Sequence, residues 1–355
     1  MSSNNADLQG SAEMSGVLGS PTGLLSPDDV AAARASAQGL LNGLDTALFG
    51  QGPLTRLVLV ACLARGHVLL EGAPGLGKTE LVKALARLLG LGWRRVQFTP
   101  DLLPGDVTGG PVLEEQPGGG RALVFHPGPV FTHVLLADEI NRASPKTQAA
   151  LLEAMAERRV SALGETRSLP EPFYVLATQN PIELEGTYPL PEAQLDRFLF
   201  KLEVANPDRA SLERLIVERR GGAGPQLDAA IEVAGLHALF AAVGRVHLPR
   251  PVANWIARLV EASHPGAATA PEPIRRYVRA GLSPRAAIAI VEAARAHALL
   301  AGKPGVGFDD VRALAAPTFG HRLVLDYRAR LDGIAARDLV AALLAEVPEL
   351  DGARR

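Results

Sequence analysis

The 355-residue chain lacks most features that mark secreted and membrane proteins. Cys62 is its one cysteine, so an intrachain disulfide is excluded, and its apolar neighbours predict that it packs as a small hydrophobe. No lysine or arginine precedes Arg34, so the basic segment that opens a secretory signal is missing. No apolar run approaches the roughly 18–20 residues that span a bilayer. We therefore expect a cytoplasmic protein with no membrane span.

The charge of the chain also excludes some partners. Lysine and arginine number 36 and acidic residues 38, so the formal net charge is −2 and gives no global attraction to nucleic acid or anionic membrane. The chain also lacks the basic, aromatic strip of a nucleic-acid motor, so we expect no nucleic-acid partner. The histidines do not cluster with carboxylates or Cys62 at metal-ligand spacing, and we predict no metal site built from them.

One strong phosphate-binding pattern is present. Residues 67–70 predict a short buried strand, and after the pattern apolar residues recur on one helical face until Gly90. In such a strand–loop–helix unit, backbone N–H groups and the helix dipole favour an anion. We expect Lys78 to contact the β- and γ-phosphates of ATP and Thr79 to bind Mg²⁺. The pattern G-x-x-x-x-G-K-[ST], the P-loop, is formed by Gly72, Ala73, Pro74, Gly75, Leu76, Gly77, Lys78 and Thr79.

Short apolar strands alternate with helical patterns over residues 27–204, which we take as one α/β core. This alternation is typical of a parallel sheet covered on both faces, here with five strands. Besides 67–70, the predicted strands are 96–99, 134–137, 173–177 and 198–202. Two further fragments, 112–113 and 122–125, flank Gly118-Gly119-Gly120 and indicate a hairpin that projects from the core.

The segments outside this core have other patterns. Residues 1–26 are rich in Ser, Gly and Asn with no clear period and predict a disordered tail. After Val204 the strand patterns stop, and Asn206-Pro207 is typical of a helix start. We therefore predict a small all-α domain over 205–345 and a C-terminal tail over 346–355. Later helices are predicted to begin near 252, at 283–284, and near 309 and 335.

Two adjacent carboxylates, Asp138 and Glu139, follow the apolar strand at 134–137. An apolar strand that ends in two acids is the Walker-B pattern. We expect Asp138 to belong to the nucleotide site and to hold Mg²⁺, mostly through water. We expect Glu139 to polarise the water that attacks the γ-phosphate. The alternative is a solvated surface pair, which the upstream P-loop disfavours.

Two further polar residues lie at ends of strands of the predicted sheet, Asn180 after one strand and Arg197 before the last one. Asn180 follows a buried strand, where it would bond the lytic water or a γ-oxygen, although an Asn before Pro is also a common turn. Arg197 would lie at the domain edge, from which it could reach the nucleotide of a neighbouring subunit. An intrachain salt bridge, for example with Asp196 or Glu192, is the alternative for Arg197.

A third arginine opens a helix of the second domain. In Gly281-Leu282-Ser283-Pro284-Arg285, Ser283 is the predicted cap and Pro284 the first helical residue. The helix dipole disfavours Arg285 in the first turn unless an anion lies nearby. We interpret Arg285 as a residue that closes on the nucleotide, and an ordinary surface arginine is the alternative.

With these residues in hand, the chain resembles AAA+ ATPases of the MoxR family over roughly 48–325. The resemblance implies that Asn180 is sensor 1, Arg197 a finger acting in trans and Arg285 sensor 2. It also implies that residues 109–125 are the helix-2 insert of this clade. The matching segments are Gly72–Thr79, Thr99–Asp106, Leu135–Ala143, Pro145–Arg158, Ala177–Pro181, Glu185–Phe198, Ser283-Pro284-Arg285 and His321-Arg322.

The resemblance further implies a function. Such proteins are ring-shaped oligomers, usually hexamers, and act as chaperone-like ATPases on partner proteins, often ones with von Willebrand factor A domains. The implied cofactors are ATP and Mg²⁺, with no other metal. Two alternatives stay open: a nucleotide-dependent assembly switch without a motor cycle, and a subunit like the magnesium-chelatase motor.

Overall fold

The computed structural model describes residues 23–116, 120–181, 186–218 and 227–350. Within these residues no helix is both long enough and apolar enough to cross a membrane. Residues 1–22 and 351–355, and with them most of the predicted N-terminal tail, lie outside the described residues, as do Gly118 and Gly119 of the predicted turn.

The described residues form strands and helices in an alternating core followed by a mainly helical region. The strands are β1 (Val68–Glu71), β2 (Trp93–Gln97), β3 (Gly109–Glu115), β4 (Arg121–Pro127), β5 (Val134–Asp138), β6 (Arg159–Ala162), β7 (Glu165–Ser168), β8 (Tyr174–Gln179), β9 (Phe200–Glu203), β10 (Val278–Ala280) and β11 (Val324–Leu325). The helices are α1 (Pro27–Ala47), α2 (Gly52–Leu63), α3 (Lys78–Leu88), α4 (Pro104–Thr108), α5 (Pro145–Glu157), α6 (Glu192–Leu195), α7 (Arg209–Glu218), α8 (Val233–Arg245), α9 (Arg250–Ala262), α10 (Glu272–Tyr277), α11 (Pro284–Leu300), α12 (Phe308–Phe319), α13 (Tyr327–Leu331) and α14 (Ala336–Glu346).

Five strands form the parallel sheet, in the order β2-β5-β8-β1-β9. Alternate residues of its central strands enter different hydrophobic clusters, because successive side chains of a strand point to opposite faces. Val68 and Leu70 pack with α1, α2, α3 and helices of the C-terminal half, whereas Leu69 packs with α4 and α5. Both faces of the sheet are therefore covered, and the carboxyl ends of all five strands lie along one edge.

The sequence predicted this core well, with shifts at strand ends. The predicted five-stranded parallel sheet is confirmed, but the second strand begins at Trp93 and ends at Gln97 rather than running over 96–99. The predicted hairpin is present as β3 and β4, which pair from Gly109 with Pro127 to Glu115 with Arg121. A second hairpin, β6–β7, has no counterpart in the prediction, because its polar residues lack the apolar alternation of a buried strand.

The C-terminal half, which we call the helical region (residues 205–218 and 227–350), differs from the prediction in three details. Strands do not stop at Val204, since β10 and β11 form a short antiparallel pair. Helix α7 begins at Arg209 rather than after Asn206, because the Asp208 carboxylate accepts the bond from the backbone N–H of Ser211. Helices α1 and α2 pack against α11, which joins the two halves.

Some residues that the sequence assigned to the two tails belong to the folded part of the chain. Leu25 is buried and Ser26 caps α1, so residues 23–26 are part of the folded chain rather than of a disordered segment. At the other end, the indole of Trp255 donates to the Val347 carbonyl at 3.0 Å, and the guanidinium of Arg258 donates to the Glu349 carbonyl at 2.9 Å. Residues 347–349 therefore pack on α9.

Candidate active site

The P-loop adopts a backbone that only glycine supports well. Gly75 and Gly77 both have φ of +82°, in the left-handed region, and Gly77 immediately precedes α3. At Gly72 a Cβ atom would lie 2.9 Å from the Val204 carbonyl oxygen, so the loop runs close to the end of β9. The glycines thus permit a tight loop whose N–H groups and helix N-terminus form an anion-binding cradle.

Lys78 lies in this cradle with its side chain half-buried. Its ammonium donates to the Gly72 carbonyl at 2.7 Å across the loop. Burial lowers the pKa of Lys78 below its usual value, while the nearby carboxylates of Asp138 and Glu139 act to raise it. Since β1 and β5 both pair in parallel with β8, the P-loop that follows β1 and the acids at the end of β5 lie at neighbouring strand ends, so the structure brings the two motifs together.

Asp138 and Glu139 lie at the carboxyl end of β5, and their neighbours hold them differently. The Asp138 carboxylate pairs with the Arg95 guanidinium at 2.6 Å, whereas the Glu139 carboxylate accepts bonds from the Gln97 amide at 2.7 Å and from Arg142 at 3.1 Å. Glu139 itself has φ of +56°, a strained conformation for a residue with a side chain. Because the backbone bends at Glu139, the two adjacent carboxylates point in different directions and bind different partners.

Thr178 tethers both acids at once. Its fully buried hydroxyl donates to the Asp138 carboxylate at 2.5 Å and accepts from the backbone N–H of Glu139 at 2.9 Å. The roles of Thr178, Arg95 and Gln97 were not predicted from the sequence. Arg95 and Gln97 are two residues apart on β2 and so lie on one face of the sheet, which is a signal that could have found these two, whereas Thr178 has no such signal.

Asn180 lies where the sequence placed it, directly after β8 and next to the ends of β1 and β5. The side chain is buried, and the preceding residue, Gln179, accepts a bond from the Gly72 N–H at 3.2 Å. The first glycine of the P-loop and the end of β8 are therefore in direct contact. This position suits the predicted sensor role, which stays a prediction.

Arg197 follows α6 and does not form either of the salt bridges considered above. Its guanidinium donates to the Leu152 carbonyl of α5 at 2.6 Å. Asp196 instead pairs with Arg285 and Arg322, and Glu192 pairs with Arg279. The side chain of Arg197 is part-buried at the edge of the core, and its role in trans stays a prediction.

An anion lies beside Arg285, as its position in the first turn of α11 predicted, but this anion is a carboxylate of the protein. The Arg285 guanidinium lies 3.4 Å from the Asp196 carboxylate, which also accepts a bond from the Ser283 hydroxyl at 3.2 Å. Ser283 caps α11 through the N–H of Ala286, as predicted. The side chain of Arg285 is 67% exposed, so this ion pair holds it only loosely.

A cleft of about 630 Å³ lies between the core and the helical region, next to the start of the P-loop. The ion pair of Lys201 with Glu71, at 3.0 Å, lies on its core side. Glu71 directly precedes Gly72, so the cleft is continuous along the chain with the anion cradle. Its wall is formed by residues 50–51, 53–54, 57, 71 and 201–203 of the core and by residues 205, 316–317, 320–321 and 335–337 of the helical region.

The residues present fit a nucleoside triphosphate with Mg²⁺. A Cβ on Gly75 would meet no atom within 4 Å, so the left-handed loop is not covered by neighbouring side chains at this residue. Thr79 in the first turn of α3 and Asp138 offer the oxygen ligands that Mg²⁺ prefers. Apart from such oxygens, the described residues contain no group of three His, Cys, Asp or Glu side chains that could hold a metal ion.

Comparison with known proteins places both halves of the chain. A model of the "ATPase family associated with various cellular activities (AAA)" matches residues 67–200, and an "AAA lid domain" model matches residues 273–343. The first covers β1 to β8 with the P-loop, Asp138, Glu139, Asn180 and Arg197, and the second covers much of the helical region, including Arg285.

Relatives and a solved structure agree with these matches. The chain is 42% identical to the uncharacterised protein YeaC of Bacillus subtilis, over 86% of this chain and 92% of that one. It is 41% identical to chaperone MoxR1 of Mycobacterium tuberculosis, over 84% and 78%. The crystal structure of a candidate ATPase from Cytophaga hutchinsonii matches with a TM-score of 0.83 at 34% identity, over 90% and 97%. The chain belongs to the MoxR family of AAA+ ATPases.

Proposed function

We propose that this protein hydrolyses ATP in a ring of its own copies and uses the cycle to remodel or assemble partner proteins. The observation that carries the proposal is the joint at Thr178, which fixes Asp138 and Glu139 at the sheet edge beside Lys78 and the P-loop. Adjacent acids with different neighbours suit two separate tasks, one at the metal and one at the water.

In the proposed reaction, the P-loop N–H groups and Lys78 bind the phosphates, and the base and sugar enter the cleft between the core and the helical region. Thr79 and Asp138 would hold Mg²⁺, which supplies positive charge to the β- and γ-phosphates when bound. Glu139 orients and polarises the attacking water, and Asn180 at the neighbouring strand end fixes that water or a γ-oxygen.

Arg197 completes this site from the neighbouring subunit. A planar guanidinium stabilises the charge that develops on the transferred phosphoryl group, and such a group supplied in trans is typically worth a factor of about 10³–10⁵ in rate. The exposed side chain of Arg285 leaves its ion pair with Asp196 and contacts the γ-phosphate of the ATP bound to its own subunit. Hydrolysis then shifts the core and the helical region relative to each other, which moves any partner that binds the two states unequally.

The partner proteins are proposed by class. The chaperone name of MoxR1 and the family membership support a protein client, and proteins with von Willebrand factor A domains are the first class to test. A hexamer is the first ring size to test. An ATP substrate is also consistent with the expected cytoplasmic location.

The experiment that tests the activity is ATPase turnover per subunit over a wide protein concentration range, with mass measured alongside. Turnover that rises as the protein assembles supports an active site shared between subunits. Turnover that is independent of concentration, with a monomer throughout, would contradict the ring. The variant Glu139→Gln should bind ATP but lose turnover, while the assembled state persists.

Mixing two inactive variants tests the shared site directly. Arg197→Ala keeps Glu139, and Glu139→Gln keeps Arg197, so a mixed interface has one intact copy of each group. Mixed rings should therefore recover activity that neither variant has alone. If mass measurements show mixed rings and no ratio restores activity, the role of Arg197 in trans is wrong.

A further inference from the structure

Arg322 is an almost fully buried arginine at the boundary between the helical region and the core. Its side chain is 3% exposed and lies just before β11. Burial lowers the pKa of Arg322, and the Asp196 carboxylate at 2.7 Å acts in the opposite direction. A buried guanidinium is costly unless its charge and its N–H groups are satisfied, so this position needs all of its partners.

Four of the five hydrogen bonds of the Arg322 guanidinium go to residues on either side of Arg197 in the chain, and the fifth goes to the Thr318 carbonyl of α12 at 2.5 Å. Besides the Asp196 carboxylate, the guanidinium donates to the backbone carbonyls of Asp196 at 3.2 Å, Phe198 at 2.7 Å and Leu199 at 3.0 Å. A planar fork that bonds three carbonyls of one four-residue segment restricts the backbone there. The direction in which the Arg197 side chain leaves the backbone therefore depends on Arg322.

His321 extends this contact toward the nucleotide cleft. Its Nε2 bonds the same Phe198 carbonyl at 3.0 Å, and the residue also forms part of the cleft wall. Burial, together with the charge of Arg322, lowers the pKa of His321 to about 3, so the ring is neutral at physiological pH. One end of the His321-Arg322 pair thus faces the cleft, and the other holds the segment that carries Arg197.

From this geometry we propose that Arg322 is a positioning residue for Arg197. It orients the arginine that serves the neighbouring subunit and links that orientation to the position of its own subunit's helical region. When the contents of the cleft move the helical region, Arg322 moves the backbone of 196–199 and with it the Arg197 side chain. The inference rests on the proposed role of Arg197 in trans. It adds that Arg322 of one subunit affects ATP hydrolysis in the neighbouring subunit rather than in its own.

The test uses full-length mixed rings in which only one interface type can hydrolyse ATP. The donor subunit carries Glu139→Gln and supplies Arg197, and the acceptor carries Arg197→Ala and supplies Glu139. Arg322→Lys is then added to the donor or, separately, to the acceptor. Lysine keeps the charge near Asp196 but loses the fork that bonds three carbonyls.

We expect the recovered kcat to fall about tenfold or more when Arg322→Lys is in the donor, because a displaced catalytic group loses much of its effect. In the acceptor the same change should leave kcat within about twofold. A matched control is Arg312→Lys in the donor, since Arg312 is another arginine of the helical region but pairs with Glu349, away from 196–199. This control should leave the recovered kcat unchanged.

Three outcomes would overturn the inference. Equal losses from donor and acceptor would mean a general structural role, and an unchanged kcat in both would mean no role. No recovery in the parent mixture, without any change at Arg322, would refute the shared site itself and remove the basis of the inference.

If Arg322→Lys does not fold, His321 gives a second test. His321→Ala in the donor should reduce the recovered kcat by removing the bond to the Phe198 carbonyl, and His321→Gln, which keeps a donor at that position, should restore most of it. Equal kcat for the two His321 variants would contradict the proposal.

Discussion

Replacing Thr178 with valine removes the hydroxyl that joins Asp138 to the backbone of Glu139, with little change in side-chain volume. Two hydrogen bonds are lost, at 2.5 Å to a carboxylate and at 2.9 Å from a backbone N–H. A bond to a charged group contributes about 1.5–3 kcal/mol, and a buried N–H left without a partner costs about 1–3 kcal/mol. We therefore expect Thr178→Val to lower the free energy of unfolding by roughly 3 kcal/mol.

The same change should also slow catalysis, because the two acids lose the bond that fixes their relative orientation. A misplacement of about 1 Å can reduce a rate by a factor on the order of 10². We expect kcat for ATP to fall between about tenfold and a hundredfold at saturating Mg²⁺. Denaturant unfolding gives the stability change, and steady-state turnover of the folded protein gives kcat.

Thr55 offers a matched control for this prediction. Its hydroxyl is also fully buried and donates to a carboxylate, that of Asp45, at 2.6 Å, but this bond joins α1 to α2 away from the proposed chemistry. Thr55→Val should lower stability by roughly 2 kcal/mol and leave kcat unchanged. If Thr178→Val reduces kcat no more than Thr55→Val does, Thr178 only stabilises the fold and the argument about the two acids is refuted.

Four further predictions follow from the site and its surroundings. Lys78→Ala should weaken ATP binding at least tenfold by calorimetry, and unchanged affinity would contradict its phosphate role. Arg95→Ala should lower the Mg²⁺ concentration for half-maximal turnover a few-fold, because the guanidinium occupies the Asp138 carboxylate; a higher requirement would mean that Arg95 orients this acid instead. Arg285→Ala should weaken ATP binding with a stability change below about 1 kcal/mol, and a larger loss of stability would make its pair with Asp196 structural. Burial lowers the pKa of His67 to about 3 from 6.5, so the unfolded chain binds the extra proton below about pH 6.5 and the contribution of His67 to stability should fall by roughly 2 kcal/mol at pH 5, in addition to that of His321; His67→Gln should remove its part of the pH dependence, and an unchanged slope would refute it.

The sequence predicted the parallel sheet and the P-loop because their signals are local. A buried parallel strand is apolar along its length. The spacing of the P-loop glycines before Lys78 and Thr79 marks the loop and the start of the helix that follows. The polar hairpin β6–β7 and the pair β10–β11 were missed because such short strands have no hydrophobic period and are held by their neighbours. Tertiary contacts determine whether those short strands form, and a single sequence does not show these contacts.

The same distinction separates the predicted site residues from the missed ones. Asp138 and Glu139 were predicted because they are adjacent and follow an apolar strand. Thr178, 40 residues later, acts only because β8 lies beside β5 in the sheet, and the strand order is not visible in a single sequence. Arg322 is 126 residues from Asp196 and joins it only when the helical region packs on the core.

The charges around Asp196 explain how Arg285 can be both paired in this structure and available to a nucleotide. Two guanidinium groups share this carboxylate, but they are not equivalent: Arg322 is 3% exposed at 2.7 Å, whereas Arg285 is 67% exposed at 3.4 Å. Removing the buried partner would leave a charge uncompensated, which is strongly destabilising. Releasing the exposed partner costs at most about 1 kcal/mol, because solvent screens the pair and Arg322 still neutralises Asp196. A phosphate can therefore draw Arg285 away while the contact that holds residues 196–199 stays intact.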